Sequence, residues 1–255
     1  MKHVHFLYKP QFANPILLAA WPGIGNVAFI VANYLKDKLN AEKFAEIDPV
    51  AFFDSSGVIV KSNIILAPSF PKGDFYHHRD LIIFIGEAQP PISQYRMASL
   101  ILDVAQELGV KRIYTSAAAV VSKHVEEPKV WGAVTDEKLL PEIEKYGATL
   151  MGDFQIRGLN GLLLGVAKER NIEGICFLGE IPHYAAEFEN PKAALAILKV
   201  LTNALNLDID LSELEERAKE TEKKLETLSK ESMIEHLEHF THPIWQRRNE
   251  EEKGE

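Results

Sequence analysis

The chain has 255 residues, a net charge of −9 and a hydrophobic fraction of 46%, enough to bury one large core without disulfide or metal support. The acidic balance argues against a nucleic-acid footprint, and no apolar run approaches the roughly twenty residues of a membrane span. One cysteine, Cys176 in GICFLG, reads as a core filler rather than a nucleophile. The opening MKHVHFLYKP lacks the apolar core of a signal peptide. A cytoplasmic protein with no nucleic-acid or membrane partner is expected.

The first element is the run Ile16–Ala20, which breaks into Trp21-Pro22-Gly23-Ile24-Gly25-Asn26 before apolar residues resume at spacings of three and four. This predicts a strand, a glycine turn and a helix over Asn26–Leu39. The amides opening such a helix are unpaired and partly positive, so the turn can receive an anion, a phosphate or a partner's carboxylate. Gly23-x-Gly25-x-x-Ala28, with Glu46 or Asp48 about twenty residues on, also meets the relaxed dinucleotide fingerprint. The competing reading is that the glycines only permit a tight strand-to-helix connection.

Residues 51–68, AFFDSSGVIVKSNIILAP, contain the apolar run Val58–Ala67 and alternate irregularly around Ser55-Ser56-Gly57, which predicts an antiparallel hairpin appended to the main sheet. Phe70-Pro71-Lys72-Gly73-Asp74 reads as a loop, and the adjacent His77 and His78 after it are poor joint metal ligands. Further strands are expected at Leu81–Ile85, Ile113–Ser116 and Gly174–Leu178. Helices are expected at Ser93–Leu108, Glu137–Tyr146, Gly158–Glu169 and Pro191–Leu205. The alternation defines an α/β fold, a mostly parallel sheet with helices on both faces.

Ligands and partners of such a sheet meet it at the carboxyl ends of the parallel strands. Four ends stand out: Trp21-Pro22-Gly23, Gly86-Glu87-Ala88-Gln89-Pro90, Ser116-Ala117-Ala118-Ala119 and Gly179-Glu180-Ile181-Pro182-His183-Tyr184. If their strands are neighbours, Glu87 and Glu180 form an acid/base pair; otherwise each carboxylate caps a helix or turn. Trp21, Pro22, Gly23, Gly25, Asn26, Glu87, Gln89, Glu180 and His183 are the partner- or ligand-binding candidates here. There is no phosphate-loop Gly-Lys-Ser/Thr and no Gly-x-Ser-x-Gly elbow. No Lys or Arg lies in the four motifs, where an anion-handling enzyme needs one. No catalytic residue, metal site or cofactor is assigned.

From Leu211 the composition becomes densely charged, which divides the chain into an α/β part, 1–210, and a helical extension with a polar end, 211–255. Leu211, Leu214, Ala218, Thr221, Leu225 and Leu228 form a seam too narrow for an isolated coiled coil, so the helix is expected to pack on its own domain or on a neighbouring subunit. Ser212 with Glu215 fits a capping box. His236, His239 and His242 read as a solvated face near a helix end. Ile244-Trp245, on an otherwise polar tail, is an apolar anchor for a partner or for the parent domain.

WPGIGNVA, then AEIDP at 45–49, GEAQP at 86–90, Gly-Leu-Asn-Gly-Leu-Leu-Leu-Gly at 158–165 and GEIPHY at 179–184 occur in order. Together, over about residues 10–205, they resemble the archaeal branch of the proteasome-assembly-chaperone family, the relatives of the second eukaryotic assembly chaperone. The resemblance implies a nucleoside-phosphorylase-like α/β fold, no established catalysis and binding to other proteins. The ATP-grasp label carried by some members has no residue-level support here. Members that engage the proteasome's α-ring look as if they do so through a C-terminal hydrophobic-Tyr-x tail, whereas this chain ends Glu252-Lys253-Gly254-Glu255. The expectation is therefore a non-enzymatic, homo-oligomeric scaffold or assembly chaperone that binds another protein, the resemblance pointing to a proteasome-related one. The alternative is an enzyme of phosphorylase-like or ATP-grasp-like type that holds a nucleotide or phosphate at Gly23–Asn26.

Overall fold

The computed structural model describes residues 3–54 and 57–225; Ile244, Trp245, the three C-terminal histidines and the chain end lie outside them. Among the described residues nine strands form one sheet. In chain order they are β1 (Val4–Phe6), β2 (Ile16–Ala20), β3 (Glu42–Ile47), β6 (Gly73–His78), β7 (Leu81–Gly86), β8 (Arg112–Val121), β9 (Val130–Val134), β10 (Thr149–Leu150) and β11 (Glu173–Pro182), with β4 (Val60–Lys61) and β5 (Ile64–Ile65) forming a separate ribbon. Across the sheet the order is β1-β3-β6-β7-β2-β8-β11-β9-β10. The central four, β7, β2, β8 and β11, run parallel, and antiparallel pairings with β6 and β9 extend the sheet on both sides.

The helices are α1 (Val27–Lys38), α2 (Gln94–Glu107), α3 (Leu140–Lys145), α4 (Leu159–Glu169) and α5 (Pro191–Leu205). Successive β2 residues point to opposite sides: Leu17 and Ala19 join a core with α2 and α4, while Leu18 and Ala20 join one with α1 and α5. Burial on both faces is why ILLAA is continuously apolar rather than alternating. The result is an α/β/α layering, as the element pattern predicted.

Three expectations need correction. The hairpin is antiparallel, Val60 facing Ile65, but β4 and β5 pair only with each other and not with the main sheet. The segments Ser116–Ala119 and Gly179–Pro182 are not strand ends. Strands β8 and β11 pair through them as far as Val121 and Pro182, because β8 on one side and β9 on the other satisfy the β11 backbone through Gly179. Gly73 and Asp74, read as the end of a loop, begin β6, the strand that also carries His77 and His78. The His77 ring packs within 5.5–6.0 Å of the rings of Tyr8, Phe12 and Phe44.

Residues 212–225 are helical and lie on their own α/β body, with Leu214 and Ala218 buried. Ion pairs flank that contact: Lys38–Glu213, Lys192–Glu222, Arg217–Glu189 and, at 3.2 Å, Lys199–Glu215. The expected capping box does not form. Asp210 accepts instead from the Ser212 amide and hydroxyl, both at 2.9 Å: an acid two residues upstream takes, in an Asx turn, the amide that Glu215 would have capped, and the hydroxyl donates rather than accepts.

Candidate functional site

Three of the five sequence motifs, WPGIGNVA, GEAQP and the one at 158–165, meet at the carboxyl end of β2. Asn160, in the first turn of α4, lies flat against the Trp21 backbone: its Oδ1 accepts from Trp21 N–H at 3.1 Å and its Nδ2 donates to Trp21 C=O at 3.2 Å. Gln89, in the loop after β7, donates from Nε2 to Pro22 C=O at 2.7 Å and accepts on Oε1 from Leu159 N–H at 2.9 Å, the opening amide of α4. Two carboxamides thus join three chain segments. A carboxamide suits this place because it carries its donor and its acceptor on separate, adjacent atoms and can serve a backbone N–H and a backbone C=O at once. Trp21 itself is wholly buried. Its indole lies over Gly86, where any Cβ would collide with the ring, so it anchors the site from beneath and cannot touch a partner.

The glycine turn is built from two left-handed residues, Gly25 (φ 64°) and Asn26 (φ 50°), before α1 starts. Gly23 has φ −160°, extended backbone open to any residue, and a Cβ there would meet only Asn160 at 3.6 Å. Only Gly25 requires its lack of a side chain. Two of the turn's amides, those of Gly25 and Asn26, are used internally. Gly25 N–H donates to Ala186 C=O at 3.1 Å, Asn26 N–H to Gly23 C=O at 2.9 Å, and Gly25 C=O accepts from Asn190 N–H at 2.8 Å. The Asn190 side chain in turn caps α5 by accepting from Ala193 N–H at 2.9 Å. The GEIPHY segment is therefore tied to the turn by the residues that follow it.

Above these contacts opens a cleft of ≈ 280 Å³. Its walls are mostly apolar: Ile24 and Ala28 from the turn and α1, Ala117–Val120 from β8, and Met151, Phe154 and Ile156 from the segment before α4. The chain leaves β2 through α1 towards β3 on one side of the sheet, and leaves β8 towards β9 on the other. Neighbouring strands with diverging exits create a crevice at the switch point, where open α/β sheets bind. The small residues Ala117, Ala118 and Ala119 make its floor. Arg157 stands in this cleft, exposed, with one hydrogen bond to Gln155 at 3.3 Å and no ion pair among the described residues. Motif reading missed it because Arg157 lies just outside the Gly158–Gly165 motif rather than at a strand end.

Glu87 and Glu180 are not neighbours. Their strands β7 and β11 are separated by β2 and β8, about 14 Å at ordinary strand spacing, which removes the acid/base pair. Glu87 accepts from Lys72 N–H at 2.9 Å, tying the end of β7 to the residue before β6, at the end of the pair away from its turn. Glu180, buried, accepts from Trp131 Nε1–H at 3.1 Å and lies beside Lys129 N–H at 3.4 Å, holding β9 to β11. Glu180 lines a small separate cavity of ≈ 30 Å³ beneath helix 212–225. His183 is exposed at the start of a short 3-10 turn, and the cleft does not include it. Nor does the dinucleotide pattern close: Glu46 ends on β3, beyond β6 and β7 from β2, bonded to Lys43, while Asp48 caps a turn by accepting from Val50 N–H. Burial pushes the Cys176 thiol up to about 12, which leaves it inert as a nucleophile. Among the described residues no group of His, Cys, Asp and Glu is disposed to hold a metal, and no helix is long and apolar enough to cross a membrane.

A three-layer α/β sheet whose carboxyl end is stitched by side-chain amides from three of its motifs defines the class. The chain belongs to the PAC2 family, whose model matches residues 17–229, in agreement with the assembly-chaperone resemblance carried by the motifs. It is 33% identical over 223 residues to an uncharacterised protein of Methanocaldococcus jannaschii, covering 85% of this chain and 84% of that one. The crystal structure of Pyrococcus furiosus PbaB, an archaeal proteasome activator, superposes with a TM-score of 0.77 at 33% identity, covering 90% of this chain and 100% of that one. PbaA of the same organism, an archaeal homologue of proteasome-assembly chaperone, shares the fold at 24% identity and a TM-score of 0.73, covering 94% of this chain and 97% of that one.

Proposed function

We propose that this chain is a non-enzymatic, protein-binding scaffold of the assembly-chaperone type. It works in the cytoplasm as a homo-oligomer and takes a proteasome-related protein as partner. The observation that carries the reading is the direction of the polar groups at the rim. Gly25 N–H, Asn26 N–H, Gln89, Asn160, Glu87 and Glu180 all bond the chain's own backbone or side chains, and the surface left to a visitor is the apolar cleft around Ile24, Val120 and Phe154. Apolar surface with few polar groups suits a partner's side chains better than a phosphate. Kinship with PbaB, a proteasome activator, supplies the partner class.

Arg157 favours a second reading, an enzyme that holds an anionic substrate in the same cleft, since its guanidinium is the one cation lining the cleft among the described residues. Thermal melts of the full chain with millimolar phosphate, ATP or a nucleoside separate the two. The scaffold reading expects no shift with any of them; a saturable rise of several degrees, lost in Arg157→Ala, would establish the enzyme reading in its place.

A further inference from the structure

The largest run of uncovered apolar surface among the described residues is the β4–β5 ribbon. Val58, Ile59, Val60, Ile64, Ile65 and Leu66 are 42–69% exposed. Ser62 and Asn63 at its tip both have positive φ, 50° and 64°, the geometry of a tight two-residue hairpin. Val60 faces Ile65, Lys61 faces Ile64, and Leu66 N–H donates to Ile59 C=O at 2.9 Å. Cross-strand partners share a face, so Val60 and Ile65 lie on one side, and Ile59, Ile64 and Leu66 on the other. Neither side is buried. An isolated two-stranded hairpin is marginal in water. These six residues expose on the order of 600 Å², the top of the 300–600 Å² that the largest patch on a typical monomer reaches and most of the roughly 800 Å² that each partner contributes to a stable interface.

We propose that this ribbon is the surface through which a second copy of the chain docks, a step that rests on the homo-oligomer reading above. The occupant follows from the ribbon's edges and charge. The Ile59–Leu66 bond makes Val60 and Ile65 the pair whose backbone N–H and C=O groups point outward. Among the described residues the β5 edge has no strand beside it, and so offers a template that an identical β5 edge satisfies about a two-fold axis. Lys61, on β4, is the one charge between Asp54 and Lys72. Pairing through β5 keeps the two copies of Lys61 apart and turns each towards a chain whose net charge is −9.

The test is light scattering on the full chain across a concentration series. It compares wild type with Ile64→Thr/Ile65→Thr, with Ile59→Thr/Val60→Thr, and with Ile92→Thr as a control, since Ile92 is 90% exposed but lies off the ribbon. Threonine keeps the β-propensity of the sites it replaces, and thermal melts confirm that each variant is folded. Wild type and the control are expected to be oligomeric at tens of micromolar, and both ribbon variants to dissociate at concentrations at least about tenfold higher. Ribbon variants that match wild type would overturn the ribbon's role while leaving the homo-oligomer reading standing. A monomeric wild type would overturn both, and association of the ribbon only with an added heterologous partner would overturn self-docking.

Discussion

Asn160 holds both backbone groups of Trp21, 139 residues away in the chain, and so ties the first turn of α4 to the end of β2. Both residues are buried, and a buried backbone group left without a partner costs about 1–3 kcal/mol. Asn160→Ala leaves one N–H and one C=O unpaired and is expected to lose about 2–4 kcal/mol in urea unfolding. Asn160→Asp keeps the acceptor but sets an oxygen against the Trp21 carbonyl, and is expected to fall at least as far. A loss under about 0.5 kcal/mol for Asn160→Ala would mean that water takes over both bonds.

The two glycines of the turn are expected to separate. Gly25→Ala places a Cβ on left-handed backbone and 3.2 Å from Asn190 Cβ, a cost of about 1–3 kcal/mol. Gly23→Ala sits on extended backbone with room, and is expected within about 0.5 kcal/mol of wild type. Equal losses at both positions, measured by chemical unfolding, would contradict this account of the turn.

The central strands and the helices were legible because burial on both faces leaves an unbroken signal: Ile16–Ala20 and Pro191–Leu205 coincide with β2 and α5 to the residue. Strands β3 and β6 were not, since EKFAEI and GDFYHH carry charges or histidines on the sides that the antiparallel edge leaves partly open. The ends of β8 and β11 were misjudged because Gly and Ala mark termini only when no neighbouring strand claims their backbone. The motifs that signal the family were visible, but their reason was not. Gln89 and Leu159, or Asn160 and Trp21, come together across 70 and 139 residues, and no local spacing rule encodes such a meeting.

Leu214→Ala tests where the charged helix belongs. Leu214 is 1% exposed against the core of α1 and α5, and truncating a buried leucine costs about 2–4 kcal/mol. The loss is expected in the unfolding free energy at any protein concentration, because the contact is within one chain. Truncation after Asn206 is therefore expected to destabilise the α/β body itself. A Leu214→Ala effect that disappears on dilution would instead place this side chain between subunits.

At the opposite end of the sheet, Arg112 bridges Glu142 at 2.7 Å and Glu173 at 2.6 Å. Burial raises both carboxyl pKa values, but hydrogen bonds outweigh it, from Tyr146 and Arg112 at Glu142 and from Arg112 and Lys138 at Glu173, leaving both below the ordinary 4.5. A carboxylate whose folded pKa is depressed adds stability above its unfolded pKa and loses it as pH falls through the folded value. Arg112→Met is expected to cost about 2–4 kcal/mol at neutral pH. The gap from wild type is expected to narrow as pH falls from about 4.5, the unfolded value, through the lower pKa values of the two folded carboxyls. A difference that stays constant from neutral pH to acid would show that the guanidinium acts by packing alone.

The most direct measurement of the central claim is sedimentation velocity of the full chain with purified proteasome, and separately with its α subunits, from the same source organism. The account predicts co-sedimentation with at least one of them, weakened by Ile24→Asp and Phe154→Asp in the cleft and unaffected by Glu87→Gln or Glu180→Gln. Absence of association with either, together with turnover of a nucleotide or nucleoside that Arg157→Ala abolishes, would contradict it.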